Sequence, residues 1–294
     1  MIERPAPAVG PDAPASALAA GASLDPAEFH AIAAIMQQEA RIHLPESKVT
    51  LVHSRLSRRL RDQGLDHFRD YVALVRRDEA ERAAMVEALT TNHTHFFREQ
   101  HHFDHLRDHV RPELHARAEA GEPVRLWSAG SSTGEEVYSI AMTLAGTDRA
   151  GAEWLRRGHV KLLATDIAPH AVAAVARGVY DDTAIKPIPP AYRTQWLHPD
   201  GADHAVADEL RALVTARRLN LFADWPMRQR YDAIFCRNVM IYFEDAAKAE
   251  LEARLVDQLR PGGHLYIGHS ERLVGPAAAA MRPVGQTAYI KATA

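Results

Sequence analysis

Apolar residues recur at helical spacing through the first third of the chain. Phe29, Ile32, Ala33, Met36 and Ala40 share one face of a segment that Asp25 and Pro26 open and that runs over 25–44. A second helix is predicted over 45–63, with Val49, Val52, Leu56 and Leu60 inward and Gly64 placed to end it. Two more follow, over 65–77 on Phe68, Tyr71, Val72 and Val75, and over 79–89 on Met85, Val86 and Leu89. Residues 24–98 therefore read as a small all-helical domain. Residues 99–120 read as a polar linker helix, after which Gly121 and Pro123 mark a change of pattern.

From residue 121 to 294 strands and helices alternate. VRLWSA precedes a helix from Glu135, VKLLATD precedes a helix over 169–177, YDAIFCRN precedes a helix over 245–259, and HLYIGHS follows. Apolar strands separated by helices specify an α/β domain whose sheet is mostly parallel, because parallel neighbours need helical crossovers. GQTAYIKA closes the chain as an antiparallel strand at the sheet edge. The stretch at about 180–219 breaks the rhythm with prolines and short polar runs, and is read as an insertion forming small antiparallel strands.

A length of 294 residues with 47% hydrophobic and 25% charged positions allows two modest cores. Residues 1–23 are rich in Ala and Pro and lack the basic start and apolar stretch of a secretion signal, so they read as a disordered tail. No apolar run reaches the roughly 18 residues of a membrane span, and the single Cys236 excludes an internal disulfide framework. A cytoplasmic address is the default, without membrane insertion. Cys236 stands in an apolar strand with no histidine partner, which fits a buried structural thiol. The net charge of −3 argues against bulk nucleic-acid binding, although basic residues cluster over 48–61.

Chemistry concentrates at VRLWSAGSSTGEEVYS, residues 124–139. Gly130 and Gly134 permit a tight turn from strand to helix, and Ser132 with Glu135, or Thr133 with Glu136, spells a capping box. A helix start normally attracts phosphate, but two glutamates in the first turn would repel a pyrophosphate. A cationic, phosphate-free adenosine ligand suits the turn better, and S-adenosylmethionine has those properties. A nicotinamide dehydrogenase shares the glycine turn, yet its pyrophosphate meets the same glutamates. Asp166, at the end of the second strand, either accepts ribose hydroxyls or caps the turn before Pro169. Arg237 and Asn238 follow an apolar strand at the carboxyl edge, where open sheets bind ligands. Asn238 also reads as a turn former, and Tyr242 as a core aromatic.

Between the domains lies TTNHTHFFRE, residues 90–99, dense in hydrogen-bonding groups. Its plain reading is a helix terminus capped by Thr94, with Phe96 and Phe97 packed on the next domain. His101, His105 and His109 recur at helical spacing, but no nearby cysteine or HExxH pattern supports a metal, so the segment reads as a solvated helix without one.

Taken together, TTNHTHFFRE, WSAGSSTGEEVYSIAMTL and DAIFCRNVMIYF, in this order after a basic helical domain, resemble the CheR family of chemoreceptor glutamate methyltransferases. The resemblance covers most of residues 24–294. It implies a Rossmann-like S-adenosylmethionine-dependent methyltransferase domain, S-adenosylhomocysteine as by-product, and methyl esters on glutamyl side chains of chemoreceptor cytoplasmic helices. Carried over by motif, the cofactor contacts fall on Asn92, Thr94, Arg98, Glu136, Asp166, Asn220, Leu221, Arg237 and Asn238, with Glu135 as the neighbouring alternative to Glu136. The basic helix resembles the family's receptor-facing helix and points to Lys48, Arg55, Arg58 and Arg59 as receptor contacts. Arg98 and Tyr242 are the expected catalytic pair, framing the reacting carboxylate or the cofactor's methionine end, since a guanidinium holds a carboxylate bidentately and a phenol donates a hydrogen bond. Thr215 and Ala216 depart from the bulkier strand residues usual in the family, which bears on partner docking through the insertion. A non-catalytic signalling module of the same fold is the alternative of a different class. Methylation of nucleic acid or of a small molecule lacks an extended basic groove.

Overall fold

Asp25 starts the described chain's first helix by a reciprocal cap: its carboxylate accepts the Glu28 amide at 2.8 Å, and Glu28 accepts the Asp25 amide at 2.8 Å. The computed structural model describes residues 22–90, 93–157 and 159–293. The predicted tail lies outside the described residues up to position 21, while the Ala22 carbonyl oxygen is 2.7 Å from His53 Nε2. Helix α1 (Pro26–Ala40) stops before the predicted end because Arg41 turns left-handed at φ 58°. Helices α2 (Val49–Asp62), α3 (Phe68–Arg77) and α4 (Glu79–Leu89) close with it over a core that includes Phe29, Ile32, Met36, Val52, Leu56, Tyr71 and Met85. One acid sits among them: Glu81, 4% exposed, is bound by Arg59, by Gln63 Nε2 at 2.7 Å and by the Tyr71 hydroxyl at 2.7 Å.

The helix expected to be a solvated linker is built into the second domain. It comprises α5 (Gln100–His105), a π-turn at Leu106–Val110 and α6 (Arg111–Glu119). Phe103, Leu106, Val110, Leu114 and Ala118 are all buried in that domain's core. Their spacing of three, four, four and four residues drifts off one face of a regular helix, and the π-turn absorbs the drift.

The second domain runs as β1 (Val124–Ala129), α7 (Glu135–Ala145), α8 (Glu153–Arg157), β2 (Val160–Asp166) and α9 (Pro169–Arg177). Next come β3 (Val179–Tyr180), α10 (Pro190–Trp196), β4 (Leu197–Asp200), β5 (Asp203–Val206) and α11 (Asp208–Arg211). The chain ends with β6 (Val214–Arg218), β7 (Tyr231–Cys236), α12 (Asp245–Gln258), β8 (Leu259–Ile267), β9 (Met281–Gly285) and β10 (Ala288–Lys291). Among the described residues the main sheet has seven strands in the order β6-β2-β1-β7-β8-β10-β9. Pairing is parallel from β6 to β8, and β10 is antiparallel to both its neighbours, as the sequence pattern requires.

Two strand assignments need correction. The insertion is a separate antiparallel sheet, β3-β5-β4, and it ends sooner than expected, since β6 pairs in parallel with β2 through Leu162 to Asp166. Thr215 and Ala216 thus belong to the main sheet's edge rather than to the insertion. The outer edge on the other side is β9, with β10 one strand in.

Candidate active site

A cavity of about 400 Å³ opens where the carboxyl ends of β1, β2 and β7 meet the helical domain. Gly130 to Ser132 follow β1, Asp166 ends β2, and Arg237 to Val239 follow β7. The opposite wall is Ala40, Ile42, His43, Leu44, Lys48 and Leu51. A backbone bridge holds that wall in place: Ile42 pairs with Phe243 in antiparallel fashion, the His43 amide donating to the Tyr242 carbonyl at 3.0 Å. Asn220 ties the same region from below, its Nδ2 donating to the Glu39 carbonyl at 2.7 Å.

The turn after β1 differs in detail from its expected form. Helix α7 starts at Glu135, but no capping box forms: Gly134 occupies the cap at φ 106°, and Thr133 Oγ1 donates to Glu135 at 2.7 Å. The two glycines answer to the turn and to protein packing, and Gly130 also lines the cavity. A Cβ on Gly130 would meet Val239 Cγ2 at 2.5 Å, and one on Gly134 would meet the Tyr180 hydroxyl at 2.6 Å, while both residues have left-handed φ. Ser132 N donates to Asp166 at 2.9 Å, and Ala168 N donates to its other oxygen at 2.9 Å, so strand-tip acid and glycine turn form one unit. Burial raises the Asp166 pKa, opposed by those two amides.

Arg237 is the hub of the far wall. Its buried guanidinium reaches Glu136 at 3.1 Å and Glu99 at 3.2 Å, also donates to the Arg98 carbonyl, and lies 5.5 Å from the centre of the Phe103 ring. Burial raises the Glu136 pKa against the pull of Arg237. For Glu99 burial acts upward too, but Arg237 and His269 prevail and hold it down at about 2. Asn238 adopts φ 58°; its amide N–H donates to Glu271 at 3.1 Å and its side chain to Glu99 at 3.3 Å. Glu271, buried, also collects the amides of Ile241 and Gly268, which fixes the loop after β7.

The structure brings Thr94, Arg98, Glu136, Asp166, Asn220, Leu221, Arg237, Asn238, Tyr242 and Lys48 to this one cavity. Glu135 is buried beside Thr133 and does not line it. Asn92 lies outside the described residues. Among the basic residues of α2, Arg58 is 83% exposed near Asp62, whereas two others are committed internally. Arg55 donates to the Leu89 and Thr90 carbonyls at 2.9 and 3.0 Å, and Arg59 pairs with buried Glu81. Neither presents a guanidinium free for a partner, because each closes a gap between α2 and α4. Phe96 and Phe97 pack on the second domain, Phe96 edge-on to Tyr180 at 4.8 Å and Phe97 against Tyr192 at 5.3 Å. Cys236 is buried, and burial pushes its thiol well up, as a structural thiol requires.

Sequence reasoning missed Glu99 and Glu271. Glu99 directly follows Arg98 within TTNHTHFFRE, and Glu271 stands just past the end of β8, where the carboxyl-edge rule that singled out Arg237 applies equally.

Fold and site together define a methyltransferase that uses S-adenosylmethionine: a mostly parallel sheet with an antiparallel last hairpin, a glycine turn after β1 and an acid at the tip of β2. Residues 27–90 match the family described as CheR methyltransferase, all-alpha domain, and residues 92–290 match CheR methyltransferase, SAM binding domain. The chain belongs to the CheR methyltransferase family. It is 44% identical over 261 residues to a probable chemotaxis protein methyltransferase of Rhizobium etli, covering 87% of this chain and 96% of the relative. Chemotaxis protein methyltransferase 2 of Pseudomonas aeruginosa is 43% identical, covering 84% and 87%. The chemotaxis protein methyltransferase of Escherichia coli is 40% identical, covering 85% of each chain. No helix among the described residues is long and apolar enough to cross a membrane.

Proposed function

We propose that the protein methylates glutamyl side chains of chemoreceptor cytoplasmic helices, in the cytoplasm, giving methyl esters and S-adenosylhomocysteine. The observation that carries this reading is the convergence of Arg98, Glu136, Asp166, Arg237, Asn238 and Tyr242 on one cavity in a chain of this family.

When bound, S-adenosylmethionine supplies an electrophilic methyl group on a sulfonium centre. Asp166, fixed by the Ser132 and Ala168 amides, is oriented to accept ribose hydroxyls. Glu136 faces the cavity with its charge partly offset by Arg237, and so offers an acceptor to an ammonium group. Thr94, Asn220, Leu221 and Asn238 complete the cofactor walls. A substrate glutamate, with a reference pKa of about 4.3, arrives ionised near neutrality, so no strong general base is required. Arg98 and Tyr242 hold that carboxylate for in-line displacement, and the apolar Ile42, Leu51 and Val239 keep water from the reacting oxygen. Lys48 at the cavity rim and exposed Arg58 steer the receptor helix by charge.

The test is transfer of labelled methyl groups to a receptor cytoplasmic fragment, with release of the label by alkali as the ester signature. Arg98→Ala and Tyr242→Phe should each lower kcat by at least about tenfold, the loss of one transition-state hydrogen bond. Absence of alkali-labile label, or near-normal turnover by both variants, defeats the proposal.

A further inference from the structure

The histidines at helical spacing, His101, His105 and His109, do not meet at one point: the His105 and His109 rings lie 5.1 Å apart and His105 Nδ1 pairs with the Tyr266 hydroxyl at 2.9 Å, while the His101 ring lies against His102 at 4.2 Å. His101 Nε2, His102 Nδ1 and Glu99 Oε2 are each buried with no hydrogen-bond partner, Glu99 Oε2 being ion-paired with Arg237, and each of the three residues offers a ligand atom within 4.8 Å of the others. Two imidazole nitrogens without hydrogen bonds, beside a carboxylate oxygen held only by its ion pair with Arg237, form an arrangement that a protein interior normally avoids.

The His102 ring is held in a ligating orientation. Its Nε2 lies 3.1 Å from the Gln286 carbonyl and 3.0 Å from Thr287 Oγ1. A carbonyl only accepts, so Nε2 carries the proton and Nδ1 turns a lone pair toward Glu99, 3.6 Å away. Metal-binding histidines are oriented in this way, with the far ring nitrogen donating to a backbone carbonyl. Ligand atoms about 2.1 Å from a tetrahedral ion stand about 3.4 Å apart, so the Glu99–His102 pair at 3.6 Å already fits, and the spread of up to 4.8 Å across the three residues must contract by on the order of 1 Å. Exposed His269, with Nδ1 2.9 Å from Glu99 Oε1, marks the side from which an ion and a fourth ligand reach the cluster.

We propose that Glu99, His101 and His102 form a binding site for a divalent transition-metal ion of the zinc class, adjoining the cofactor cavity but separate from it. Two imidazoles and one carboxylate select such ions over magnesium or calcium, which take oxygen ligands. Arg237 Nη2 lies 3.2 Å from Glu99 Oε2, the oxygen offered to the ion, so an ion must displace or share that ion pair.

The experiment titrates tag-free, chelator-treated full-length protein with Co²⁺ alone and follows visible absorption. The expected result is a saturable one-to-one spectrum with the intensity of a tetrahedral ion, displaced by Zn²⁺ and weakened at least tenfold by His101→Gln and by Glu99→Gln. His102 is fully buried, so His101→Gln, on a partly exposed ring, carries the test, with circular dichroism checking that its fold is kept. No saturable spectrum, or one indifferent to His101→Gln, overturns the site.

Discussion

Asn220 Nδ2 donates to the Glu39 carbonyl at 2.7 Å while Asn220 Oδ1 accepts the Phe222 amide at 2.9 Å, so one side-chain amide joins the last turn of α1 to the loop after β6. Asn220→Ala removes both bonds and leaves polar groups at the cavity without partners. The expected cost is about 1–2 kcal/mol of stability, read as a lower urea midpoint, with about tenfold weaker S-adenosylhomocysteine binding by calorimetry.

Asp166→Asn tests the cofactor assignment more directly. The amide retains one acceptor but turns an NH₂ toward one of the two backbone N–H donors now bound by the carboxylate. With hydrogen bonds to charged groups worth about 1.5–3 kcal/mol, S-adenosylhomocysteine affinity should fall on the order of thirtyfold. Unchanged affinity would remove Asp166 from the cofactor site.

The arginines of α2 divide into two kinds. Arg59→Ala strands buried Glu81 and should destabilise the protein by about 3–5 kcal/mol, because breaking one partner leaves an uncompensated buried charge. Arg58→Ala should leave stability within about 0.5 kcal/mol and raise the receptor KM, with the effect shrinking as salt is added. Urea melts and methylation kinetics on the two variants separate these outcomes.

His264 gives the fold a pH dependence. Burial lowers its pKa to about 4, helped by His105, Arg260 and Arg282 and opposed by Glu113. The unfolded chain titrates near 6.5, so below that pH it takes up a proton that the folded chain refuses. Stability should therefore fall as pH drops from about 6.5 to about 4, by on the order of 3 kcal/mol. His264→Gln should flatten the urea midpoint against pH over that window. His102, which burial lowers to about 3, and His105, also lowered by burial, leave the rest of the slope in place.

Gly268→Ala probes the loop that carries Asn238. A Cβ there would stand 2.5 Å from Asn238 Nδ2 and 2.8 Å from its backbone nitrogen, so Asn238 must move and Glu271 must loosen its hold on that amide. About tenfold weaker cofactor binding with an unchanged circular dichroism spectrum is expected.

The sequence was most readable where burial imposes a period. Helices α1 to α4 and strands β1, β2 and β7 follow from apolar spacing alone. Strand β6 was hidden because Thr215, Arg217 and Arg218 are exposed at the sheet edge, leaving no apolar run. The helix before β1 looked polar because the π-turn takes its buried stripe off the expected spacing. Site residues at strand ends were legible from topology. Those defined by distant pairing were not: nothing near Arg59 marks it as the partner of Glu81, 22 positions away, and nothing near Ile42 announces Phe243.

That last pairing has a bearing on biosynthesis. Ile42 leaves the ribosome early and waits for Phe243, and until that later segment emerges the chamber lacks the wall that Arg237 to Val239 and Ile241 to Phe243 supply. Full enclosure of the donor is consequently a property of the finished polypeptide.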